Sequence, residues 1–445
     1  MRRFAFILFL AIAALPFILM SGRHGSRHSI SAGGPGTSES LIIISPHRRE
    51  VRLEYSRGFS EWMLKQYGRA VDIQWLDVGG TSKILKELES RFNTSPRDPG
   101  VDLLFGGGIS PFLTAIQNNW LAALELDPGT LIGIPATCAG EPVFDPGHRW
   151  FGVTLSGFGI LYNRPLIRRL GLPEPASWED LARPAYFSWV GSGDPRSSGS
   201  VHMCYEIILQ SYGFEKGWPV IARICANVRG FGEAGGTVPR EVAAGDIAAG
   251  LVIDQYAQTV IQAVGDESLA LVLPLQQTVI SPDAIAMLKG ARHPGLARLF
   301  VEYTLSPEGQ RLLYQPAGTN GQQHTLYRMP VVRSLYQDPA APKPDPYAFP
   351  AGPAYDNDLA TRRWTLLNDL MGTWLIDAHA DLRAAWKAIL ARGATSGQVA
   401  ALGAPPMTEK ELEALARTWN DPRRRHEIMQ AWALAARARY DSLKH

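Results

Sequence analysis

From Leu41 onward, short apolar runs alternate with longer stretches that place apolar residues at helical spacing. The runs Leu41–Ile44, Val71–Trp75 and Val101–Phe105 are bounded by turn residues, which is typical of strands in a largely parallel, buried sheet. Between them lie helix-like stretches such as 83–92. This order of strand, loop and helix predicts the βαβ units of an open α/β sheet. Because ligands bind at the carboxyl ends of such strands, the loops that follow them are candidate binding elements.

A second unit with the same pattern begins near residue 150. The segment Trp150–Asn163 is long, apolar and rich in glycine, and suits a strand that crosses from one unit to the other. Further strands are predicted at Phe187–Gly191 and Ile247–Ile253. The strand Ala284–Leu288 and the helix Pro294–Leu305 then indicate that the chain returns to the first unit.

The amino terminus has the pattern of an export signal. Arg2 and Arg3 precede an apolar run from Phe4 to Met20, as in a secretory signal or a short signal anchor. We assign residues 1–23 to this segment and residues 24–40 to a flexible linker. We therefore expect a periplasmic protein, either cleaved or held to the inner membrane by this segment.

The carboxyl-terminal region is predicted to be helical. Residues 339–353 form a proline-rich linker. In the extension that follows, residues 354–445, Trp364, Leu367 and Trp374 recur at helical spacing, and Thr408 with Glu411 fits a capping box. The extension could pack on the rest of the chain, contact a partner or form a small domain.

Composition removes several function classes. The 445 residues carry a formal charge of only +2, so the basic surface of a nucleic-acid-binding protein is not expected. The three cysteines, Cys138, Cys204 and Cys225, lack the spacing of a structural zinc site. A Cys204–Cys225 disulfide and separate buried thiols both remain open.

Two loops that open helices are the best candidates for binding an anion. Gly79–Ser82 follows the second strand, and Ser197–Ser200 stands between a strand and a helix in the second unit. Small residues allow an anion to approach the unpaired N–H groups of a first helical turn. The alternative is that these serines only cap their own helices. The chain has no GxxxxGK[ST] motif, so nucleotide hydrolysis is not expected.

Other candidates also stand at strand ends. Ser45, His47 and Arg48 follow the first strand, Gly107 and Gly108 follow the third, Asp254 and Tyr256 follow a later strand, and Thr237 lies in a Gly-Gly-Thr loop. Each has a structural alternative, such as a hydrogen-bonding histidine or an aromatic wall. Ser156 lies in LSGFG, which lacks the first glycine of a nucleophile elbow. A ligand contact or backbone packing in the crossover is therefore favoured over catalysis.

Several of these motifs, in this order, resemble the bacterial periplasmic solute-binding proteins of the ferric-iron, phosphonate and sugar-phosphate class. The resemblance spans residues 41–333 and includes ISPHRRE, DLLFGGG, GVTLSGFGILYN, GSGDPRSSGS and DAIAMLKGARHPGLARLFVEYTLSPEGQRLL. It implies a type 2 periplasmic-binding fold, α/β with two lobes joined by crossover hinge strands, plus the helical extension. The implied lobes are residues 41–150 with 284–338, and residues 151–283.

The resemblance also bears on the ligand. Iron binders of this class use a histidine, which His47 matches, an acidic residue, whose place falls in Gly106–Gly108, and paired tyrosines, whose place is Gln255-Tyr256. Two hard oxygen donors are therefore missing, so no metal or cofactor is expected. The SSGS helix start matches the anion-holding loop of the class. It favours a phosphorylated or carboxylated ligand, with Arg48 or Arg196 as countercharge.

These observations predict an exported receptor that captures a small organic anion by lobe closure, without catalysis. The resemblance implies an ABC permease as partner, and we expect a monomer that binds no nucleic acid. The alternatives are a membrane-anchored sensory or scaffold module on the same fold, or a binder of ferric complexes. The predicted ligand-binding residues are Ser45, His47, Arg48, Gly80, Thr81, Ser82, Gly107, Gly108, Ser156, Ser198, Gly199, Ser200, Thr237, Asp254 and Tyr256.

Overall fold

A computed structural model describes residues 39–233, 235–352 and 355–445. The predicted signal segment 1–23 and most of the predicted linker lie outside the described residues. Within the described residues, no helix is both long and apolar enough to span a membrane.

The chain is built on a sheet of ten strands, with a separate two-stranded ribbon, β4 and β5. The main path runs β2-β1-β3-β11-β6-β9-β7-β8, and β10 and β12 both pair with β6. The strands are β1 Glu39–Ile44, β2 Val71–Leu76, β3 Leu103–Phe105, β4 Thr137–Cys138, β5 Glu141–Pro142, β6 Phe151–Asn163, β7 Val190–Gly193, β8 Val228–Gly232, β9 Ala249–Ile253, β10 Leu269–Val272, β11 Ile280–Met287 and β12 Met329–Pro330.

Strand β6 joins two halves of this sheet. Its first part, Phe151–Gly157, pairs with β11 in the half that contains β1, β2 and β3. Its second part, Phe158–Asn163, pairs with β9 and β10 in the half that contains β7 and β8. The crossover predicted at Trp150–Asn163 is therefore present, and the two halves are the centres of two α/β lobes.

Helices flank both halves, and five of them form the extension. They are α1 Arg49–Tyr67, α2 Thr81–Thr94, α3 Ser110–Gln117, α4 Arg164–Leu170, α5 Trp178–Leu181, α6 Gly199–Tyr212, α7 Phe214–Asn227, α8 Thr237–Ala244, α9 Asp254–Val264, α10 Pro294–Leu305, α11 Pro307–Arg311, α12 Asn357–Met371, α13 His379–Ala391, α14 Ser396–Gly403, α15 Glu409–Ala416 and α16 Pro422–Ser442. A short π-helical turn, Gly372–Ile376, joins α12 to α13.

The extension shares the hydrophobic core of the second lobe. Leu367, Trp386 and Tyr440 belong to the same buried cluster as residues of α6 and α7. The indole of Trp386 also donates a 2.8 Å hydrogen bond to the Asn227 side chain at the end of α7. The first lobe has its own buried clusters around β1, β3 and β11. The predicted α/β fold with two lobes and a helical extension is thus confirmed, whereas the predicted residue boundaries of the domains stay a prediction.

Several predicted strands begin a few residues from the expected position, and for β7 and β11 the backbone shows the reason. Ser188 has a φ of +67°, outside the extended region, so β7 starts only at Val190. Strand β11 starts at Ile280 rather than Ala284 and runs through Pro282 and Asp283, residue types that usually end strands. The register shifts between Asp283 and Ala284, and such a bulge is how a sheet accommodates them. The three cysteines are separate, buried thiols.

Candidate functional site

A cavity of about 250 Å³ lies between the two lobes, among the loops that follow the carboxyl ends of β1, β2, β3, β7, β8 and β9. The structure brings most of the sequence-predicted residues together here. The predicted residues that line the cavity are His47, Arg48, Gly80, Thr81, Gly107, Gly108, Ser156, Ser198, Gly199, Ser200 and Tyr256. Their placement agrees with the expectation that loops at strand ends form the site.

Four predicted residues do not line the cavity. Ser45 is fully buried and its hydroxyl accepts the His47 N–H at 3.1 Å, so it supports the loop from behind. Asp254 is also buried and accepts the Gln255 N–H at 2.7 Å. Ser82 is exposed on the second residue of α2, and Thr237 opens α8 behind the lining residue Gly235. These four residues therefore lie behind or beside the cavity wall, and their role in ligand binding stays a prediction.

Six helices begin at the cavity, three from each lobe. They are α1, α2 and α3 from the first lobe and α6, α8 and α9 from the second. None of their N-cap residues makes a side-chain hydrogen bond to its own helix. Ser198 is a serine in the capping position, yet its hydroxyl lies 3.2 Å from the Ser200 hydroxyl instead. First-turn N–H groups left in this way, at the positive ends of helix dipoles, favour an anion.

A buried charged group forms the floor on the first-lobe side. The Nε2 atom of His47 lies 2.9 Å from Asp283 Oδ2, and the Arg328 guanidinium donates to the same oxygen at 3.2 Å. The other oxygen of Asp283 accepts the Gly108 N–H at 2.9 Å. Burial acts to raise the pKa of Asp283, but His47, Arg328 and the Gly108 N–H hold it well below its usual value. Asp283 is therefore ionised, and Arg328 neutralises it.

Burial also affects two neighbouring groups. It lowers the pKa of His47, although the Asp283 carboxylate acts in the opposite direction. It raises the pKa of Asp254 to about 7, against the hydrogen bonds from the Gly157 and Gln255 N–H groups. Because Asp283 is paired and Asp254 does not line the cavity, the part of the wall formed by described residues has no free carboxylate to repel an anion.

Arg48 is the cation that remains available to a ligand. Its guanidinium carbon lies 4.0 Å from the centre of the Tyr256 ring, a cation–π contact between the first and second lobes. Among the described residues, no carboxylate lies within salt-bridge distance of it. Arg196, the other predicted countercharge, is bound to Asp194 and Asp377 at 2.7 and 2.8 Å and does not line the cavity. The prediction of Arg196 as countercharge is therefore not supported by its position.

The lining residues that were not among the predicted ligand-binding residues include Asp283, Arg328 and Trp364. Asp283 had a usable signal, since it is the only charged residue in a buried strand and a buried charge requires a partner. Arg328 lies in the irregular segment before β12, whose sequence shows neither the helical nor the strand spacing of apolar residues. Trp364 belongs to α12 of the extension. Its spacing predicted a helix, but no local pattern indicates on which surface that helix packs.

Among the described residues, no group of three or more His, Cys, Asp and Glu side chains is placed to hold a metal ion. At the iron-binder positions, His47 is bound to Asp283, the three glycines 106–108 replace an acidic residue, and Gln255 occupies one of the two tyrosine places.

Comparison with known proteins identifies similar proteins. Residues 112–321 match the family described as bacterial extracellular solute-binding protein. The phosphoglycerate transport regulatory protein PgtC of Salmonella typhimurium is 31% identical over 237 residues. That alignment covers 53% of this chain and 56% of the relative, so the chain spans about half the length of this curated protein.

Solved structures show the same fold. The periplasmic binding protein AfuA from Actinobacillus pleuropneumoniae, with exogenous fructose-6-phosphate bound, matches with a TM-score of 0.62 and 21% identity, covering 77% of this chain and 99% of that one. Iron-bound HitA from Pseudomonas aeruginosa matches with a TM-score of 0.58 and 20% identity, covering 74% and 98%. The chain thus has the periplasmic-binding-protein fold and, over residues 112–321, matches the bacterial extracellular solute-binding family, which confirms the resemblance inferred from its motifs.

Proposed function

We propose that this chain is the extracytoplasmic receptor of an ABC importer and that it captures a small phosphorylated or carboxylated organic anion between its lobes. The observation that carries the proposal is the set of six helix N-termini without side-chain caps around one cavity. Arg48 adds a full positive charge to them, and the carboxylate of Asp283, which lines the wall, is already neutralised by Arg328.

The size of the cavity supports a small ligand. About 250 Å³ lies near the lower end of the roughly 300–1,000 Å³ found for ligand pockets, which suits a short carbon skeleton with one or two anionic groups. The relatives point the same way. AfuA was solved with fructose-6-phosphate, and PgtC is named for phosphoglycerate transport.

Capture proceeds by closure of the lobes on the ligand. The two walls already approach each other, since a Cβ atom added at Gly80 would lie 3.9 Å from the Ser197 carbonyl oxygen of the opposite lobe. A ligand that binds both walls at once stabilises this closed form over an open one. A permease in the inner membrane would then recognise the closed receptor in the periplasm, and the chain would act as a monomer without chemical change to its cargo.

Isothermal titration calorimetry tests the ligand class. We expect binding of at least one of 3-phosphoglycerate, fructose 6-phosphate and succinate, and no binding of uncharged glycerol or fructose. Arg48→Ala removes the unpaired cation and should weaken that binding by about tenfold or more. The matched control is Arg49→Ala, which removes the same charge from the next residue, outside the cavity, and should change the dissociation constant by less than about threefold.

Two results would contradict the proposal. Binding of ferric citrate but of no organic anion would replace it with the ferric-complex alternative. An equal loss of affinity in Arg48→Ala and Arg49→Ala would mean that the ligand is attracted by the overall positive charge of this region and not by a specific contact in the cavity.

A regulatory receptor is the second candidate, because the relative PgtC is named as a transport regulatory protein. In that case the closed form would signal to a membrane partner instead of delivering cargo. Uptake of radiolabelled ligand by cells with and without this chain separates the two, since only an importer subunit is required for uptake once the transporter is expressed from a constitutive promoter.

A further inference from the structure

The extension contributes a wall of the cavity through Trp364. This residue lies outside residues 112–321, the part of the chain that matches the solute-binding family, yet it lines the cavity beside Gly199. A Cβ atom added at Gly199 would lie 3.7 Å from the Trp364 ring and 3.8 Å from the Thr81 hydroxyl. Trp364 therefore stands where the anion-binding loops of the two lobes meet.

The indole is held in place by packing and by hydrogen bonds. Its ring lies against the buried His202 ring of α6, with centroids 3.6 Å apart. The Nδ1 atom of His202 is in turn 2.7 Å from the Asn368 side-chain oxygen, one turn further along α12. On the other side of Trp364 in sequence, Arg363 forms a fully buried ion pair with Glu206 at 2.7 Å. These contacts fix α12 on α6, so Trp364 is a rigid part of the wall and not a loose surface residue.

The cavity is lined by both polar and apolar residues. Glycines, serines and Arg48 form the polar part, while Phe158, Met203 and Ile253 also line the cavity. Those three residues and Trp364 belong to a single hydrophobic cluster. A bare inorganic anion would use only the polar part, whereas an organic anion would also cover the apolar surface.

We propose that Trp364 is a specificity-determining residue that packs on the carbon skeleton of the ligand, while the helix N-termini and Arg48 hold its anionic group. The extension thereby makes the receptor select organic anions over inorganic phosphate. This inference rests on the proposed function for the identity of the anion, but not for the contact between Trp364 and whatever solute binds.

The test compares two probes, 3-phosphoglycerate and inorganic phosphate, by calorimetry on the full chain. Trp364→Ala should weaken binding of 3-phosphoglycerate by about tenfold or more and binding of inorganic phosphate by less than about twofold. Trp364→Phe should keep part of the preference for the organic probe. Trp432 is the matched control, because it is a buried tryptophan of the same extension whose ring stacks on Trp419 away from the cavity. Trp432→Phe should leave both dissociation constants unchanged, as should Trp432→Ala where it folds.

The outcomes separate this inference from the proposed function. If Trp364→Ala left both affinities unchanged, or weakened the binding of both probes equally, the role of Trp364 would be overturned. The proposed function as an anion receptor would not be affected. If the unmodified chain binds neither probe, a second panel of neutral sugars, amino acids and ferric citrate supplies the solute. Binding of a solute from this second panel would contradict the proposed anionic ligand. The same variants would still test whether Trp364 contacts the bound solute. A chain that binds nothing in either panel would overturn both.

Discussion

Four of the five helices of the extension begin with a side-chain cap, whereas the N-cap residues of the cleft helices provide none; α13, which starts after Ala378, is the exception in the extension. In the extension, α12, α14, α15 and α16 each start at a residue whose side chain accepts a first-turn N–H, namely Asp356, Thr395, Thr408 and Asp421. At the cleft, none of the six N-cap residues makes such a bond, although Asp254, the first residue of α9, accepts the Gln255 N–H. A cap contributes about 1 kcal/mol, and helices α7, α10 and α13 also begin without one. What distinguishes the cleft is that six uncapped helix starts surround one cavity, where their N–H groups are available to a ligand.

Charges follow the same division. The extension pairs Arg363 with Glu206 and Arg425 with Asp369, at 2.7 and 2.6 Å. In the cleft, Arg48 lies over the face of the Tyr256 ring and, among the described residues, has no carboxylate within salt-bridge distance. These two arginines of the extension are thus paired with carboxylates, whereas the cleft leaves Arg48 available to a ligand. The predictions below would strengthen or remove this contrast.

The largest expected effect is on the anchor of the extension. Glu206→Ala leaves the buried Arg363 with only the partly exposed Glu409 as a partner, and breaking a buried pair costs about 3–5 kcal/mol. Urea unfolding should therefore show a loss of at least about 3 kcal/mol in the free energy of unfolding. The exposed pair of Arg423 and Glu427 on α16 is the control, since Glu427→Ala should cost less than about 0.5 kcal/mol. Similar losses for both would show that α12 is not anchored by this pair.

Next in size is a pH effect at the start of a cleft helix. Burial raises the pKa of Asp254 to about 7, while aspartates of an unfolded chain titrate near about 3.9. The folded state therefore holds this proton more tightly, so this contribution to stability is lost as the pH rises from about 4 up to about 7, where the unfolded chain has released the proton and the folded chain has not.

Asp254→Asn cannot ionise, so its stability should not show this fall. The free energy of unfolding of the variant, relative to that of the unmodified chain, should therefore increase by on the order of 2 kcal/mol from about pH 5 to about pH 8. Urea unfolding at the two pH values measures the difference. Asp266→Asn, at an exposed position of the loop after α9, should show no such gain. A pH-independent difference for Asp254→Asn would mean that the carboxyl is ionised throughout this range.

A helix cap introduced into the cleft should raise the stability of the chain and lower its affinity for the anion. Ser198→Asp supplies α6 with a capping carboxylate and places a negative charge in the cavity. We expect about 0.5–1 kcal/mol of added stability and at least about tenfold weaker binding of the anion. Thr408→Asp makes the same change at a helix of the extension that is already capped, and calorimetry should find its affinity unaltered. Retained affinity in Ser198→Asp would remove α6 from the binding site.

Much of the cleft could be predicted from the sequence because its determinants are local. Loops such as Gly79–Ser82 and Ser197–Ser200 stand between a strand and a helix in the linear sequence, and parallel strands place such loops at one edge of a sheet. Ser82 and Thr237 were predicted to contact the ligand but do not line the cavity. Composition alone does not show in which direction a residue of a first helical turn points.

What could not be predicted depends on distant parts of the chain. His47 and Asp283 are 236 residues apart and meet 2.9 Å from each other, and the bulge at Asp283 is invisible to a rule that ends strands at Pro-Asp. Trp364 is the extreme case. Its helical spacing predicts α12, but the surface it covers is chosen by His202 and Glu206, which lie in the other region of the molecule.

The smallest expected effect compares the two kinds of helix start directly. Thr408 accepts the Glu411 N–H at 3.3 Å, and Glu411 accepts the Thr408 N–H at 2.8 Å, so Thr408→Ala should cost about 1 kcal/mol of stability and leave ligand affinity unchanged. Ser198 caps nothing, so Ser198→Ala should cost less than about 0.5 kcal/mol yet weaken binding of the anion by a few fold, because a hydroxyl that lines the cavity is lost. Thermal unfolding and calorimetry on the two single variants measure both quantities. If Ser198→Ala lost as much stability as Thr408→Ala, the serine would be an ordinary cap, and the contrast between the cleft and the extension would disappear at α6.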